Sequence, residues 1–565
     1  MRGHDLRRGG AKFSIKRFRR DEEGSLVIFG LFCFVMMLIL AGVAVDLMRF
    51  EERRTVLQNT IDRASLAAAD LQQTLDPKAV VRDYFVKAGL TPPADADIDV
   101  RQGSNGEFRT VEVTTAEEMP TWFMRMVGVQ ELGTPAHSMA EESVGQIEIS
   151  LVLDVSGSMN SNSRLTNLKP AAKSFVDQIF DSTQEGKVSI SIIPYSTQVA
   201  LSDDLIGYFN VTNEQTISNC IEFEDDMGDF DTPAVSFGSG SGSRVYQRNG
   251  HFDPFYSASL PRMTNCPTDS DREIMAFSGD RSALKNYIDN LSASGNTSID
   301  IGMKWGAALL DPSMQDVVDD LIDHDKVDDD FSGRPYAWSE GDTLKIIVLM
   351  TDGANTTEYR LRDDYDHGTS RLERNAAYGS DSTSLDQYSL WDATKKQYYI
   401  FAIDQWRNEP WGNSTYTTTS CSKKWGCTTT TSNDYGYSGS PQSVPMSWQA
   451  VWEKMSIYYF SDNIIYGAYR DRGMRNQYRP ASVRDPEMTT YIYSTKDTRT
   501  LDICSAAKSA SSRLRIYTIA FEAPSDGQTL LEACQNAGYY EVEGLDINDA
   551  FDGIVNSINK LRLTH

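Results

Sequence analysis

The residues best equipped for chemistry are a short run of hard oxygen donors, Asp154-Val155-Ser156-Gly157-Ser158. One carboxylate and two hydroxyls on a single turn suit Mg²⁺, or another divalent cation such as Mn²⁺ or Ca²⁺, because such ions take oxygen ligands and Mg²⁺ in particular keeps several waters. Two later segments offer donors of the same kind. Gly295-Asn296-Thr297-Ser298 presents the Thr297 hydroxyl, and Thr351-Asp352-Gly353 presents the Asp352 carboxylate. Signatures of catalysis are missing from the chain. There is no His-Glu-x-x-His, no phosphate-binding loop with Gly-Lys-Ser/Thr and no Gly-x-Ser-x-Gly elbow, and the six histidines are scattered. The expectation is a binding protein and not an enzyme.

Three loops can share one ion only if regular elements hold their ends together. Gln146 to Leu153, QIEISLVL, alternates and then turns fully apolar, the pattern of a strand entering a sheet buried on both faces. Asp154 follows it directly. A helix over 168–180, a strand over 188–193, helices over 283–291 and 299–310 and a strand over 344–350 continue the alternation, and Asp352 follows that last strand. After a long interruption come a helix over 501–510, a strand over 514–521, a helix near 530–537 and a final helix over 547–561. Alternating strands and helices predict an α/β fold, a doubly wound, mostly parallel sheet whose ligands bind at the carboxyl ends of its strands. Residues 202–280, with the GSGSGS run from Gly238 to Ser243, and residues 355–497, rich in Ser, Thr, Tyr, Trp and Asn, break the pattern. Structureless loops of that length are improbable in a compact domain, so both are expected to be insertions with β-rich structure of their own.

The three loops, in this order at strand ends, resemble the metal-ion-dependent adhesion site (MIDAS) of the von Willebrand factor A domain, over residues 146–563. The resemblance implies that Asp154, Ser156, Ser158, Thr297 and Asp352 together hold one divalent ion. With only two protein carboxylates the ion would keep residual positive charge and an open position, which an Asp or Glu of a protein partner can fill. The sequence departs from compact members of the family in its separations, 143 residues from Asp154 to Thr297 and 55 from Thr297 to Asp352.

The chain has 565 residues and a formal net charge of −26, which argues against a nucleic-acid partner because neutralising phosphate takes a basic face. The charge is uneven. Residues 1–23 carry +4, leaving −30 for everything after them. Next to that basic tail lies GSLVIFGLFCFVMMLILAGVAV, Gly24 to Val45, long enough as a helix to cross a bilayer core of about 30 Å. Bases before it and Asp46 after it predict a single-pass protein with a cytoplasmic N-terminus and a large exported region. The apolar run is longer than the usual signal-peptide core, which favours an anchor over a cleaved leader. Cysteine usage agrees with export. Beyond Cys33 in the apolar run there are six, Cys220, Cys266, Cys421, Cys427, Cys504 and Cys534, and neighbour pairing is the simplest of 15 connectivities.

After the apolar run, Leu57, Ile61, Ala64, Ala68, Leu71 and Leu75 step by four and three, so the helix is expected to continue to about Asp76. A short helix over 79–88 and strand-like FRTVEVT at 108–114 make residues 47–145 a small α+β module. The basic tail, the apolar helix ending in Ala-Val-Asp, LQNTIDRASLAAADL and this module resemble the TadE/TadG-type proteins of the tight-adherence (Flp pilus) system. With a carboxyl-terminal von Willebrand A domain, the order of parts is similar to TadG-like members. The resemblance implies an inner-membrane protein whose periplasmic region meets pilus or secretion components; the alternative is a surface or pilus-tip adhesin. Prepilin-like relatives carry Glu five residues after the cleaved glycine, whereas Phe29 stands there after Gly24, so Gly24 is not expected to be a peptidase site. The run from Asp311 to Asp330 holds nine Asp and is expected as a solvated acidic loop, with a weak calcium-loop match at Asp328, Asp330, Ser332 and Gly333.

Overall fold

The computed structural model describes residues 23–70, 73, 75–102, 108–143, 145–183, 186–238, 243–340, 343–479, 488–491 and 493–563. The basic tail and most of the GSGSGS run lie outside them. The chain divides into two compact units, Met1–Val144 and Gly145–His565.

In the first unit the apolar run and the amphipathic repeat are one helix, α1 (Glu23–Ala69), long and apolar enough to cross a membrane. Its first half bears exposed Leu, Phe and Met side chains, whereas Leu57, Ile61, Ala64 and Ala68 are buried. They pack on Val81 and Phe85 of α2 (Pro77–Lys87) and on Ile98, Val111, Val113 and Ala136 of an antiparallel sheet. Its strands are β1 (Ile98–Gln102), β2 (Phe108–Pro120) and β3 (Glu131–Ser143), in the order β1-β2-β3. α1 ends at Ala69, short of the expected Asp76, and Leu75 is exposed beyond it. Asp76 instead caps α2, accepting the Ala79 N–H at 3.3 Å, with Pro77 at the first helical position, where a missing N–H costs nothing.

The second unit is built on a six-stranded sheet. Its strands are β4 (Gln146–Asp154), β5 (Val188–Tyr195), β6 (Met275–Ser278), β7 (Thr343–Thr351), β8 (Arg515–Phe521) and β9 (Gly538–Val542), in the order β9-β8-β7-β4-β5-β6. All pair in parallel except β6, which runs antiparallel to β5 at one edge. Side chains alternate between two cores. Ile149, Leu151 and Leu153 of β4 face α3 (Arg164–Asp181), α4 (Arg281–Asn290) and α8 (Ile547–Leu563). Val152 of β4 and Ile347 and Leu349 of β7 face α5 (Ile299–Ala308), α6 (Tyr493–Ala510) and α7 (Ser525–Cys534). A sheet covered on both sides is why β4 and β7 read as continuous apolar runs.

Residues 369–478, joined by the buried Phe252 from the earlier insertion, form another core around a five-stranded antiparallel sheet, with Trp448 and Trp452 stacked at 5.2 Å between centroids. A disulfide-tied hairpin, Thr415–Ser422 with Gly426–Asn433, projects from it with exposed side chains. Two expectations need correction. Among the described residues between Tyr195 and Met275 the chain is not β-rich: apart from isolated bridges its ladder is two residues a side, Ile221–Glu222 with Arg248–Gln247, and a Cys220–Cys266 disulfide and buried aromatic side chains such as Phe209 and Phe223 fill the space instead. The acidic run is not a solvated loop throughout, because Gln315–Asp323 is a helix whose Val317, Val318 and Leu321 are buried. The remaining disulfide joins Cys504 to Cys534, so the six cysteines pair as sequence neighbours.

Candidate metal site

The expected ligands meet at the carboxyl ends of β4 and β7, adjacent parallel strands. Asp154, the last residue of β4, is fully buried. Its Oδ1 accepts the Ser156 N–H at 2.7 Å and its Oδ2 accepts the Thr351 hydroxyl at 2.6 Å. The chain then turns through a 3₁₀ segment, Gly157–Asn160, which brings Ser156 Oγ and Ser158 Oγ to 3.0 Å. Ser158 Oγ donates in turn to Asp352 Oδ1 at 2.7 Å. Ser156, Ser158 and Asp352 therefore form a continuous chain of oxygens beside the Asp154 carboxyl.

Thr297 arrives from the loop before α5. Gly295 makes the approach possible: its φ is +91°, a conformation L side chains rarely adopt, and its carbonyl accepts the Gly157 N–H at 2.9 Å. The Thr297 hydroxyl lies over Gly353, 3.6 Å from where a Cβ would stand. Its backbone is gripped from both sides, the N–H by Thr356 Oγ1 at 2.8 Å and the carbonyl by the Thr356 N–H at 3.0 Å. All five residues are brought together, each at most slightly exposed except Ser158, which is exposed although its hydroxyl bridges Ser156 and Asp352.

The donor set is all oxygen, with two carboxylates close enough to interact. Burial pushes the Asp154 carboxyl up to about 7, and the neighbouring Asp352 charge adds to the rise. A buried Asp154 carboxyl that resists ionisation beside a second carboxylate is chemistry a divalent cation would relieve, so the residues fit such an ion.

Several neighbours of these residues have no local sequence signal. Arg164, at the start of α3, donates from Nη1 to Asp352 Oδ2 at 2.8 Å and from Nε to Glu522 Oε2 at 2.9 Å. Glu522 also accepts from Asn162 at 3.0 Å, so the rim of the site is a charged latch between the β4 and β8 loops. Beneath the site, the fully buried Lys496 donates to Thr297 O at 2.9 Å, Ser298 Oγ at 2.6 Å and Thr356 O at 2.9 Å. It stands 3.8 Å from Asp300, whose carboxyl burial pushes up to about 6. Only Thr351 was within reach of sequence reasoning, as the neighbour of Asp352.

No curated protein matches the chain. Among solved structures it is similar to the von Willebrand domain of the type V pili tip protein Mfa5 from Porphyromonas gingivalis, at 12% identity and TM-score 0.29, over 74% of this chain and 96% of that one. It is similar to the pilus adhesin SpaC from Lactobacillus rhamnosus GG at 12% and 0.26, over 84% of this chain and 36% of that one. A von Willebrand factor type A protein from Catenulispora acidiphila follows at 7% and 0.22, over 81% and 49%. Residues 24–71, all but the last two of which lie on α1, match the family described as putative Flp pilus-assembly TadE/G-like.

Proposed function

We propose that the chain is a single-pass component of the bacterial inner membrane, serving Flp/Tad pilus assembly or secretion, with a cytoplasmic N-terminus and its large region in the periplasm. In this reading residues 146–563 are a von Willebrand A domain interrupted at about 202–280 and 355–497. The domain binds protein partners, pilus or secretion components, through a divalent ion. Asp154, Ser156, Ser158, Thr297 and Asp352 would hold Mg²⁺, Mn²⁺ or Ca²⁺, which when bound supplies a coordination position for a partner's carboxylate. The residues of this chain keep that position shaped: Thr351 orients Asp154, Ser158 orients Asp352, and Lys496 fixes the Thr297 backbone. The observation that carries the reading is the oxygen chain Ser156–Ser158–Asp352 beside Asp154 at adjacent strand ends, in a chain whose residues 24–71 match a TadE/G-like family. Asp154→Ala is expected to abolish saturable Mg²⁺ binding by calorimetry while the circular dichroism spectrum is retained; unchanged binding overturns the site. Crosslinking in intact envelopes, with and without chelator, is expected to yield partners that depend on Asp352.

One feature favours the adhesin alternative. The disulfide-tied hairpin carries Trp425 at 80% exposure, a large aromatic offered to something outside the chain. A form lacking residues before about Asp46 and recovered outside cells supports that reading, and an intact N-terminus in washed inner membranes counts against it.

A further inference from the structure

The connection between β2 and β3 carries an apolar tip that the fold leaves uncovered. Trp122 is 61% exposed, Phe123 41%, Met126 73% and Val127 53%. A soluble loop would not normally expose so much apolar area in so few residues. The tip is nevertheless held firmly. Asp46 of α1 accepts the N–H groups of Trp122, Phe123 and Met124 at 3.0, 2.8 and 2.7 Å. The Arg49 guanidinium lies 3.6 Å from the Trp122 ring centroid. Thr121 closes the neck through its hydroxyl to Val129 O at 2.6 Å.

Where the tip is held matters more than how. Asp46 is the first acid after the apolar run, and Phe123 reaches back to Gly42, where a Cβ would lie 2.6 Å from its side chain. The four residues from Gly42 to Asp46 rise about 6 Å along the helix, so the tip lies level with the last turn of the apolar run. Around that turn the helix also exposes apolar side chains, Leu40 at 63% and Leu47 at 46%. Aromatic side chains with an arginine beside them, here Trp122, Phe123, Arg49 and the exposed Arg125, are the composition that favours the boundary between headgroups and acyl chains.

We propose that the 122–127 tip inserts into the bilayer boundary beside α1, as a second membrane contact that fixes the depth and rotation of the helix, with Asp46 as the residue that positions it. This rests on the reading of α1 as a membrane span. The occupant is lipid because the surface is continuous with the apolar face of the span itself.

The test uses the full chain in phosphatidylethanolamine–phosphatidylglycerol vesicles, with an environment-sensitive fluorophore on one cysteine at a time. Native Cys33, the free cysteine of the described residues, reports the span; Met126→Cys reports the tip and Met139→Cys the exposed middle of β3, both in a Cys33→Ala background. Lipid carrying a doxyl quencher just below the headgroup is expected to lower the Met126→Cys emission roughly twofold, with the emission blue-shifted and iodide ineffective, while the Met139→Cys probe responds to iodide alone. If the Cys33 probe is quenched from the membrane interior but the Met126→Cys probe behaves like that at Met139, the tip proposal is overturned and the span survives. If iodide reaches Cys33 as well, both fall. A Met126→Cys probe shielded from both quenchers means protein, not lipid, covers the tip, and also overturns the proposal. Asp46→Ala is expected to return the Met126→Cys probe to iodide while the Cys33 probe stays buried.

Discussion

At the scale of single residues, the chain places charge where burial makes it costly and then surrounds it. Arg360 alone is shared by Glu222 at 3.4 Å, Glu224 at 2.9 Å and Glu358 at 2.9 Å, and it cannot fully satisfy all three. Glu222 bears the consequence. Burial, opposed by Arg360 and reinforced by Glu358, pushes its carboxyl from the ordinary 4.5 to about 8. The folded protein therefore holds a proton there that the unfolded chain has already released, so this group's contribution to stability is complete below about pH 4.5 and is lost as pH rises through about 8. The slope in that window approaches about 1.4 kcal/mol per pH unit at most. Glu222→Gln keeps the hydrogen-bonding shape without the titration. Urea unfolding of the isolated second unit at several pH values is expected to give a visibly flatter profile for this variant between weakly acidic and weakly alkaline conditions, and an unchanged slope would mean that Arg360 dominates.

At the scale of elements, the site depends on two helices touching loops they do not belong to, α6 through Lys496 at the Thr297 loop and α7 at the Asp352 loop. α7 begins against the Asp352 loop so closely that a Cβ on Gly527 would stand 2.2 Å from the Gly353 carbonyl oxygen. Gly527→Ala is expected to cost about 1–3 kcal/mol of stability and to weaken Mg²⁺ binding, measured together by thermal melting and calorimetry, because the backbone that must yield carries Asp352. The other end of α7 is tied to α6 by the buried Cys504–Cys534 disulfide, which closes 30 residues. Chain entropy assigns such a loop about 3.5 kcal/mol, so the double alanine variant is expected to lose stability of that order. The Cys421–Cys427 bond spans six residues of an exposed hairpin whose ladder already holds them together, and its removal is expected to fray the hairpin and leave the global midpoint in place. What could be foreseen follows from these same contacts. β4 and β7 were legible because both faces are buried; that Asp154, Ser156, Ser158, Thr297 and Asp352 would lie together was what the resemblance to the von Willebrand A domain implied, helped by loops that sit just past a strand or just before a helix. β6 and β9 were not, being short edge strands with half-exposed side chains. Arg164 meets Glu522 across 358 residues and Lys496 meets Thr297 across 199, and no local pattern encodes a contact of that length.

At the scale of the whole molecule, charge and oxidation state divide at the same place. The six cysteines beyond α1 are paired in three disulfides and the unpaired Cys33 lies within the apolar run, which supports an oxidising compartment for the body. In the proposed topology the +4 tail, set against the −30 remainder, would carry the orientation through its bases rather than through the acids that follow. This has a direct consequence for topology. In spheroplasts, added protease is expected to degrade the body of the natural chain while an N-terminal fragment ending near the span survives. Replacing Lys16, Arg17, Arg19 and Arg20 by Gln brings the tail to neutrality without touching any residue of the span. A measurable share of chains is then expected to keep the body protected inside, and those chains are expected to have reduced cysteines by thiol labelling, since the disulfides depend on export and not on the fold alone. If the neutral-tail chain remains wholly protease-sensitive with all three disulfides intact, the orientation is set by something other than the tail, and the bulk of the exported body becomes the determinant to test.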